Sequence, residues 1–521
     1  MTPSVVPEPA AAPTPPKTRS GDFIGRWLFP ALGVLSLLGS CVALSMKKQE
    51  WADEIFTRIE VSDPSLWHLM HALTRLGGAG MPLFYLTAWP WAHLFGFSDL
   101  SLRLYSSCGV CGAFLVLILA LRRCFSARAA FLGVAFGLFA SMIVVDQNAE
   151  ARGYGLYLLL CALAIAQLLR IGGVPRPSPR DLLVVALTQA GVALGHVLGL
   201  IFAGLMLLGL VGADLKLRRF RGKVYACAMA GWLALLIWLP AIRASMAVAK
   251  PHGWIVQPTP IDVLIGLSSW LFAGIYFPLF HGTLFGVVAG WGCAIFCVTG
   301  VIAAAFYALR DATPVQLTAY SIGLALVVAP VVFFIVSHLV TPIWVARYLQ
   351  PAVFGVAILT AGWADRFVSR PWDVVLGFAV LALLPLTVAA AKPTRLDVAH
   401  IDSLAAGRPI VCDWAPDFTV VLRYSAHPRS VEFPLDWDAA LAGPPAAVGA
   451  YHLMENYRRD GYMAGHLLDE PQVLSQPSFV VLDETSNNWF QREIASHPQF
   501  AWQDLGSIDK THRVLAVTHR N

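Results

Sequence analysis

The sequence predicts an all-α polytopic membrane domain of about eleven transmembrane helices, followed by a small C-terminal α/β domain. Of the 521 residues, 57% are hydrophobic and only 13% are charged, and the mean hydropathy is +0.64. A soluble core of this size needs far less apolar surface. Apolar runs recur as far as residue 391, after which charged residues return to an ordinary frequency. Residues 25–391 are therefore expected to lie mainly in the bilayer, and residues 392–521 are expected to lie in water.

The N-terminal segment, residues 1–24, is rich in proline. Its prolines stand among Ala and Thr and are Pro3, Pro7, Pro9, Pro13, Pro15 and Pro16. Such a composition cannot bury enough surface to fold, so we expect a disordered cytoplasmic tail. The apolar run 27–46 follows basic residues, as in a signal peptide, but it is long enough to span and many spans follow it. A retained first helix is the prediction.

Ten uncharged apolar runs define the predicted spans. They are 27–46, 104–121, 129–145, 154–170, 182–213, 223–240, 283–308, 315–337, 349–363 and 373–391. The run 182–213 is too long for one helix and is expected to form two short spans that turn near His196. Residues 262–281 are also apolar enough to span, but a crossing there would carry Arg366 and Arg370 to the opposite side. We expect a helix at the outer surface instead.

Lys and Arg are distributed unevenly between the polar connectors. The connectors rich in these residues contain Arg122, Arg123 and Arg128; Arg170, Arg176 and Arg180; Lys216, Arg218, Arg219, Arg221 and Lys223; and Arg366 and Arg370. Placing this set in the cytoplasm with the N-terminus satisfies the positive-inside rule at nearly every crossing. The C-terminal domain then lies outside the cell membrane. The net charge of +5 is small, so membrane lipids, and not nucleic acid, are the expected partners.

Two outer regions are predicted in more detail. The large loop 47–103 contains two aromatic-rich stretches, Ser65–Leu76 and Leu83–Phe95, which are expected to form interfacial helices. The C-terminal domain contains strand-like runs at Pro409–Trp414, Ser478–Asp483 and Arg513–Thr518 and a helix-like run at Asn488–Ser496. Of the nine cysteines, only Cys412 lies in this domain. No disulfide framework is therefore expected there.

Ionisable residues at membrane boundaries are expensive to hold unless they are paired, hydrated or used, so the outer-face residues are the candidates for function. Asp53 and Glu54 closely follow the first span. A carboxylate at this depth, partly screened from water, can act as a general base on a substrate hydroxyl. The alternative is a solvated acid pair that balances Lys47 and Lys48.

Two further clusters lie at outer boundaries. Glu150, Arg152 and Tyr154 stand between the third and fourth spans. Glu150 and Arg152 are too close in sequence to share a helix face, so each can contact a different partner; helix capping and interface anchoring are the alternative. Arg347 and Tyr348 mark a late outer boundary, where an arginine fork can bind phosphate or instead extend to lipid headgroups.

His196 and Arg103 complete the outer-face set. His196 lies at the turn of the predicted hairpin, and Arg103 stands just before the second span. A lone histidine in an apolar hairpin is more often a hydrogen-bonded structural residue than a ligand. Its position on the same face as the other candidates keeps the binding role open.

These motifs, in this order, resemble those of the GT-C membrane glycosyltransferases, and especially the bacterial protein O-mannosyltransferases, lipid A aminoarabinose transferases and rhizobial galacturonic acid transferases. The matching elements are Asp53-Glu54; Pro82-Leu83-Phe84-Tyr85-Leu86 with Trp91; Leu94-Phe95-Gly96-Phe97-Ser98; Leu102-Arg103-Leu104; Glu150-Ala151-Arg152-Gly153-Tyr154; and Arg347-Tyr348-Leu349. The resemblance extends over residues 25–360. Met81 departs from it, since many relatives have a proline there, and so does Gly80, where some have Lys or His.

The resemblance implies a GT-C-like fold and an inverting transfer of a sugar. The donor would be a polyprenyl-phosphate sugar, and the acceptor a hydroxyl of an envelope glycan, lipid or protein, at the outer face of a bacterial inner (plasma) membrane. Asp53 would be the catalytic base, with Glu54 beside it. The residues assigned to the donor's phosphate and sugar are Arg58, Arg103, Glu150, Arg152, Tyr154, His196, Arg347 and Tyr348. No cofactor is assigned and no strong metal site is seen, although a divalent cation shared by Asp53 and Glu150 is an option.

Two other classes of protein share this hydropathy. A transporter or flippase usually shows paired halves with interrupted helices and charges near the bilayer midplane, but the sequence shows no internal repeat and its ionisable groups gather on one face. A non-catalytic envelope-polysaccharide assembly subunit would use its outer domain to bind glycan or a partner. Fold and base position do not encode the sugar or the acceptor.

Overall fold

The computed structural model describes residues 23–75, 80–249, 255–263 and 312–520, except 370, 392, 444 and 485–488, together with isolated residues between 288 and 310. These residues form a helical bundle and a smaller C-terminal α/β domain. The predicted span 283–308 and the predicted surface helix 262–281 lie largely outside the described residues.

Within the described residues, the bundle and the loop that follows its first helix consist of helices joined by connections. The helices are α1 (Phe29–Lys47), α2 (Ala52–Val61), α3 (Leu66–Leu73), α4 (Pro82–Phe95), α5 (Asp99–Leu121), α6 (Ala127–Phe139), α7 (Met142–Asn148), α8 (Tyr154–Gly172), α9 (Pro179–Gly195), α10 (Gly199–Lys216), α11 (Gly222–Trp232), α12 (Leu239–Ala249), α13 (Pro314–Val327), α14 (Ala329–Leu339), α15 (Val353–Phe367) and α16 (Trp372–Ala390).

The chain is a multi-pass membrane protein. Within the described residues, six helical segments are long and apolar enough to cross a membrane, and the bent pairs α6–α7 and α13–α14 raise the number to eight. Every predicted span except 283–308 coincides with one of these segments or with the shorter α9 and α15. The predicted hairpin turns at His196, between α9 and α10. The total of eleven spans stays a prediction.

Contacts at one end of the bundle gather the basic connectors. Arg122 donates to the carbonyl oxygen of Gly25 at 3.0 Å. Arg128 forms an ion pair with Asp373 at 2.9 Å, which joins α6 to the start of α16. We call this side of the bundle the basic end. These two contacts place the predicted cytoplasmic ends of α1, α5, α6 and α16 together, while the compartment that the basic end faces stays a prediction.

The opposite side of the bundle, which we call the site end, holds the C-termini of α1 and α16 and the turn after α7. Lys47 at the end of α1 donates to the carbonyl oxygen of Val388 at 2.8 Å. Lys48 pairs with Asp146 of α7 at 2.6 Å. These contacts bring the predicted outer boundaries of three spans to one surface.

Small residues allow the closest helix contacts that support the site end. A Cβ added at Gly155, in the first turn of α8, would lie 1.9 Å from the carbonyl oxygen of Ser106 in α5. A Cβ added at Gly133 of α6 would lie 2.3 Å from the carbonyl oxygen of Ala357 in α15. Small residues at helix interfaces let backbones approach closely inside a membrane. Larger side chains here would push apart the helices that carry the site.

The loop 47–103 contains α2, α3 and α4 at the site end. The predicted stretches Ser65–Leu76 and Leu83–Phe95 correspond to the helices α3 and α4, and their position at the membrane interface stays a prediction. Ser65 caps α3 by accepting a hydrogen bond from the backbone N–H of His68 at 3.2 Å. The sequence analysis did not delimit α2, which carries the first pair of candidate acids.

The C-terminal domain is built on a six-stranded sheet in the order β3-β2-β1-β4-β6-β5. The strands are β1 (Ile410–Cys412), β2 (Val431–Leu435), β3 (Leu467–Asp469), β4 (Ser478–Glu484), β5 (Phe500–Ser507) and β6 (His512–His519). The helices are α17 (Val398–Ala405), α18 (Ala415–Tyr424), α19 (Trp437–Ala442), α20 (Pro445–Arg459) and α21 (Glu470–Leu474). Strands β1 to β4 pair in parallel, and β6 pairs antiparallel with both β4 and β5.

The three predicted strand runs correspond to β1, β4 and β6. The predicted helix-like run Asn488–Ser496 contains a π-helical segment, Gln491–Ala495. Strand β2 was not predicted because Glu432 and Pro434 interrupt its apolar pattern, and β3 is only three residues long. The fold class predicted from the sequence is confirmed, a helical membrane domain with a small C-terminal α/β domain.

An ion-pair network fastens the C-terminal domain to the site end. Arg58 of α2 donates to Asp99 at 2.7 Å, and Arg423 of α18 donates to the same carboxylate at 2.9 Å. Tyr424 donates to Asp99 at 2.9 Å and accepts from the backbone N–H of Glu50 at 2.9 Å. We call these five residues the docking network. The sheet domain is therefore held against the helix that carries the candidate acids.

Candidate active site

Helix α2 points its two acids in different directions. Asp53 and Glu54 stand in its first turn, where carboxylates are favoured by the helix dipole. Neighbouring residues on a helix are rotated by about 100° from each other. The side chain of Asp53 is 28% exposed, whereas that of Glu54 is 1% exposed. The two acids therefore have different chemical environments despite being adjacent in sequence.

Asp53 faces two arginines from distant segments. Its Oδ2 lies 3.6 Å from Nη2 of Arg347 and 3.9 Å from Nη2 of Arg152. These separations exceed hydrogen-bond distance. About a quarter of each guanidinium-bearing side chain is exposed, 24% for Arg347 and 28% for Arg152. A carboxylate and two cations thus share one partly open space at the site end.

The backbone fixes where Arg152 points. Its Nη1 donates to the carbonyl oxygen of Asp53 at 3.1 Å and to the hydroxyl of Thr57 at 3.2 Å. Arg152 belongs to the short connection between α7 and α8. Helix α7 leaves the direction of α6 at an angle of 78°, which carries this connection across the site end. The bend therefore positions an arginine that a straight span would place elsewhere.

Aromatic side chains surround Arg347. Its Nε donates to the hydroxyl of Tyr154 at 3.2 Å. Its guanidinium carbon lies 5.3 Å from the ring centre of Trp51 and 5.7 Å from that of Tyr348. Cations over aromatic faces gain electrostatic stabilisation, which increases as water is excluded. Arg347 is thus held in place while part of it faces the open space.

His196 forms the buried wall behind these residues. Its ring stacks on Tyr157 at 4.8 Å and lies 5.3 Å from Tyr348. Its Nδ1 accepts the backbone N–H of Leu198 at 3.2 Å. Burial, and then the positive charges of two arginines, lower the pKa of His196 to about 3. The ring is therefore neutral at physiological pH, and its contacts favour the structural alternative over a phosphate-binding role.

Glu54 and Arg103 form a buried ion pair. Arg103 Nε donates to Glu54 Oε1 at 2.8 Å, and its Nη2 donates to Oε2 at 2.7 Å. Glu54 Oε1 also accepts the backbone N–H of Ala151 at 2.8 Å, and Arg103 Nη1 donates to the carbonyl oxygen of Lys48 at 2.9 Å. Both side chains are 1% exposed. Neither has an open face toward the space beside Asp53, so the sequence assignments of both to substrate contacts do not fit this geometry.

Arg58 is likewise occupied. Besides Asp99, it donates to both carboxylate oxygens of Glu50, at 2.9 Å and 2.5 Å. Its side chain is 12% exposed. The structure places Arg58 in the docking network and not beside Asp53, so the sequence assignment of Arg58 to phosphate binding does not fit this geometry either.

Glu150 lies in the same connection as Arg152. Its Oε2 is buried and has no hydrogen-bond partner among the described residues. Burial, followed by the nearby charge of Glu54, raises its pKa to about 7. Within the described residues, neither Glu150 nor Asp53 belongs to a group of three metal-ligating side chains. The raised pKa means that the carboxyl group of Glu150 changes its protonation near neutral pH.

Sequence reasoning missed three residues that support the site. Thr57 stands one helical turn after Asp53, and Trp51 precedes α2 and faces Arg347. Glu60, also on α2, accepts hydrogen bonds from Tyr85 and from Tyr457 of the C-terminal domain. The spacing of Thr57 from Asp53 was a usable signal. The partner of Glu60 lies nearly 400 residues away in sequence, so no local pattern indicates it.

The assembled site combines proton acceptance with anion binding. An exposed carboxylate can accept a proton from a hydroxyl group, and two guanidinium groups can hold the non-bridging oxygens of a phosphate. With Asp53 ionised, Asp53, Arg152 and Arg347 carry a net charge of +1. These residues lie at one end of an apolar bundle.

No family model matches the chain, and no curated protein does. The chain is similar to the solved structure of ArnT from Cupriavidus metallidurans bound to undecaprenyl phosphate, at 15% identity and a TM-score of 0.45, over 94% of this chain and 97% of that chain. The apo state of ArnT gives 13% identity, a TM-score of 0.47 and the same coverage.

A third similar structure is the archaeal oligosaccharyltransferase AglB from Archaeoglobus fulgidus, in complex with an inhibitory peptide and a dolichol-phosphate. It shares 10% identity at a TM-score of 0.44, over 88% of this chain and 70% of that chain. Likenesses this distant do not assign a function, so the function has to be argued from the chemistry of the site.

Proposed function

We propose that the chain is a membrane glycosyltransferase that transfers a sugar from a polyprenyl-phosphate donor to an acceptor hydroxyl at the outer face of a bacterial inner membrane. One observation carries the proposal. The carboxylate of Asp53 lies 3.6 Å from Arg347 and 3.9 Å from Arg152, at the boundary of an apolar bundle. The order of the sequence motifs, which resembles that of the GT-C enzymes, points to the same chemistry.

The reaction needs one proton acceptor and one anion site. The acceptor oxygen attacks the anomeric carbon while the bond from that carbon to the donor's phosphate oxygen breaks, and the configuration inverts. Asp53 takes the hydroxyl proton, and the polyprenyl phosphate leaves with the bonding electrons. Arg152 and Arg347 stabilise the charge that develops on this phosphate. The step balances without a cofactor.

The remaining candidates support these three residues in our proposal. Tyr154 and Tyr348 orient Arg347 and line the donor side together with Trp51. His196, which is neutral and stacked on Tyr157, forms the buried wall of the site. Glu54, Arg103 and Arg58 hold α2 and are positioning residues. The acceptor is the hydroxyl of an envelope glycan, lipid or protein.

Replacing Asp53 with Asn tests the catalytic assignment. The variant keeps the shape of the side chain but cannot accept the acceptor proton, so we expect transfer to fall by about 10²–10⁴-fold. The measurement is transfer from a synthetic polyprenyl-phosphate sugar by the full chain in nanodiscs, together with the matching surface glycan in cells. Binding of polyprenyl phosphate alone should persist, because both arginines remain.

Two matched variants separate specific from general effects. Glu455→Gln removes an exposed acid of the C-terminal domain and should leave transfer unchanged.

Arg347→Lys keeps the charge but loses the planar fork, so it should weaken polyprenyl-phosphate binding, whereas the exposed Arg429→Lys should not. Normal transfer by a well-expressed Asp53→Asn protein would exclude Asp53 as the catalytic base, whereas the absence of transfer by the wild type would favour a transporter or an assembly subunit.

A further inference from the structure

Three carboxylates converge in the C-terminal domain, far in sequence from the residues of the proposed active site. Asp436 directly follows β2, and Glu470 directly follows β3. Because these two strands are parallel neighbours, their carboxyl ends meet at the same edge of the sheet. Glu493, in the segment Gln491–Ala495, completes the group. One carboxylate oxygen from each of the three residues lies within 4.8 Å of the other two.

The group contains a buried oxygen that no described residue satisfies. Asp436 is only 6% exposed. Its Oδ1 accepts the backbone N–H of Ala439 at 2.9 Å and so caps α19. Its Oδ2 has no hydrogen-bond partner among the described residues, and the same is true of Glu470 Oε1. Buried carboxylate oxygens without donors are costly, so a bound cation would stabilise both oxygens.

Little positive charge offsets these carboxylates. Arg492 reaches the group at 3.3 Å from Glu493. Its Nη1 is engaged by the carbonyl oxygen of Asp438 at 2.8 Å. Three ionised carboxylates beside one guanidinium leave a net charge of −2.

The geometry suits a particular kind of cation. All the donors are carboxylate oxygens, and such sites prefer hard ions such as Ca²⁺ or Mg²⁺ over zinc or copper. Ca²⁺ binds oxygen at about 2.3–2.6 Å, so two ligands on opposite sides of the ion are about 4.6–5.2 Å apart. Mg²⁺ at about 2.0–2.1 Å would limit that separation to about 4.2 Å. The three oxygens here lie within 4.8 Å of one another, which is inside the separation that two opposite Ca²⁺ ligands can have.

We propose that Asp436, Glu470 and Glu493 form a binding site for a divalent cation of the Ca²⁺ class, with water completing the coordination. The ion joins the ends of β2 and β3 to the segment Gln491–Ala495. It therefore stabilises the edge of the sheet, and this role is independent of sugar transfer. The hydroxyl of Tyr451, which is buried and has no partner among the described residues, lies on a helix that packs against these strands.

Thermal unfolding and calorimetric titration of the chelator-treated full chain in detergent test the site, with CaCl₂ and MgCl₂ as the probes. Because an ion that binds only the folded state stabilises it, Ca²⁺ should raise the melting temperature progressively with concentration, and more than Mg²⁺ at equal concentration. Glu470→Gln should weaken Ca²⁺ binding at least about tenfold, since even outer-shell changes at metal sites cost that much.

The metal-free melting temperature distinguishes a lost ligand from a damaged fold. Glu470→Gln relieves repulsion, so without metal it should melt at or above the wild-type temperature. Glu493→Gln should give the same pattern if the first variant is poorly expressed. Asp438→Asn removes an exposed acid two residues from Asp436 and should bind Ca²⁺ as the wild type does. No calorimetric signal with either cation, or Ca²⁺ binding by both Gln variants that is as tight as that of the wild type, would overturn the proposal. Loss of sugar transfer would not bear on it.

Discussion

At the scale of single residues, Asp53 and Glu54 cannot be distinguished in the sequence, because both are acids at adjacent positions. In the structure their environments are opposite. Both are carboxylates in the first turn of α2. One faces an open space between two arginines, and the other is enclosed with Arg103. A rotation of about 100° along the helix separates the two roles. The adjacent pair could therefore be predicted as a site, but which member reacts could not.

Glu54→Gln should be far more disruptive to folding than Asp53→Asn. Removing the charge of Glu54 leaves the guanidinium of Arg103 buried and unpaired, which costs about 3–5 kcal/mol. The pairs made by Asp53 are long and partly exposed, and such pairs contribute about 0–1 kcal/mol. Melting temperatures and expression levels of the two purified variants provide the comparison. Equal melting temperatures would contradict the buried pair.

Glu150→Gln should change how stability depends on pH. Burial raises the folded-state pKa of Glu150 to about 7, above its ordinary value of 4.5. The folded protein therefore holds this proton more tightly, and stability falls as pH rises from about 4.5 through 7, by roughly 3 kcal/mol in total. The Glu150→Gln variant has no ionisable group at this position, so it does not lose this stability as pH rises.

Melting curves at pH 5 and pH 8 measure the effect of Glu150. The variant and the wild type should differ little at pH 5, and the variant should be the more stable protein at pH 8. Asp397→Asn, a change at an exposed carboxylate that caps α17, serves as the control and should shift both temperatures alike. A wild type that loses no more stability than the variant between these pH values would contradict the assignment.

At the scale of elements, α2 joins the two parts of the molecule. One of its faces presents Asp53, while Arg58 and Glu60 bind the C-terminal domain through Asp99 and Tyr457. Hydropathy located the spans because a run of apolar residues is a local property. It did not reveal the role of α2, because the residues that hold this short helix come from α5, α18 and α20.

Tyr457→Phe should loosen the C-terminal domain. The hydroxyl of Tyr457 donates to the buried carboxylate of Glu60 at 2.6 Å. Without it, Glu60 retains only the hydrogen bond from Tyr85, and an under-satisfied buried charge costs about 1–3 kcal/mol. The measurement is the rate of limited proteolysis of the purified chain in chelator, with release of a C-terminal fragment as the readout.

Tyr451→Phe is the matched control for this change. Its hydroxyl is buried and lacks a hydrogen-bond partner among the described residues, so its removal should leave proteolysis unchanged in chelator. If both variants were digested at the wild-type rate, the bond between Tyr457 and Glu60 would not be what holds the domain.

At the scale of the whole molecule, opposite ends of the bundle carry different chemistry. The basic end holds the arginine-rich connectors, and the site end holds Asp53 and the C-terminal domain. Composition and charge placement predicted this division, because the positive-inside rule acts on whole loops. The acidic group at the edge of the C-terminal sheet was not predicted. Its three members lie in separate strand and helix connections that only the sheet topology brings together.

Labelling of introduced cysteines tests the predicted orientation. Ser62→Cys at the site end should react with a membrane-impermeant maleimide in cells whose outer barrier has been removed, and Arg176→Cys at the basic end should react only after the membrane is permeabilised. Both positions are exposed. A parent protein with Cys108→Ser limits background from the native cysteine that is exposed among the described residues. The reverse pattern would place the site in the cytoplasm and exclude an outer-face reaction.

The docking network restricts which C-terminal domains can be exchanged into this protein. Asp99 alone receives hydrogen bonds from Arg58, Arg423 and Tyr424, so two separate stretches of chain share one acceptor. A C-terminal domain transplanted from another protein, however well folded, would have to supply the equivalents of Arg423 and Tyr424 in register. Chimeras joined near residue 391 should therefore succeed or fail according to α18, and not according to the length of the linker.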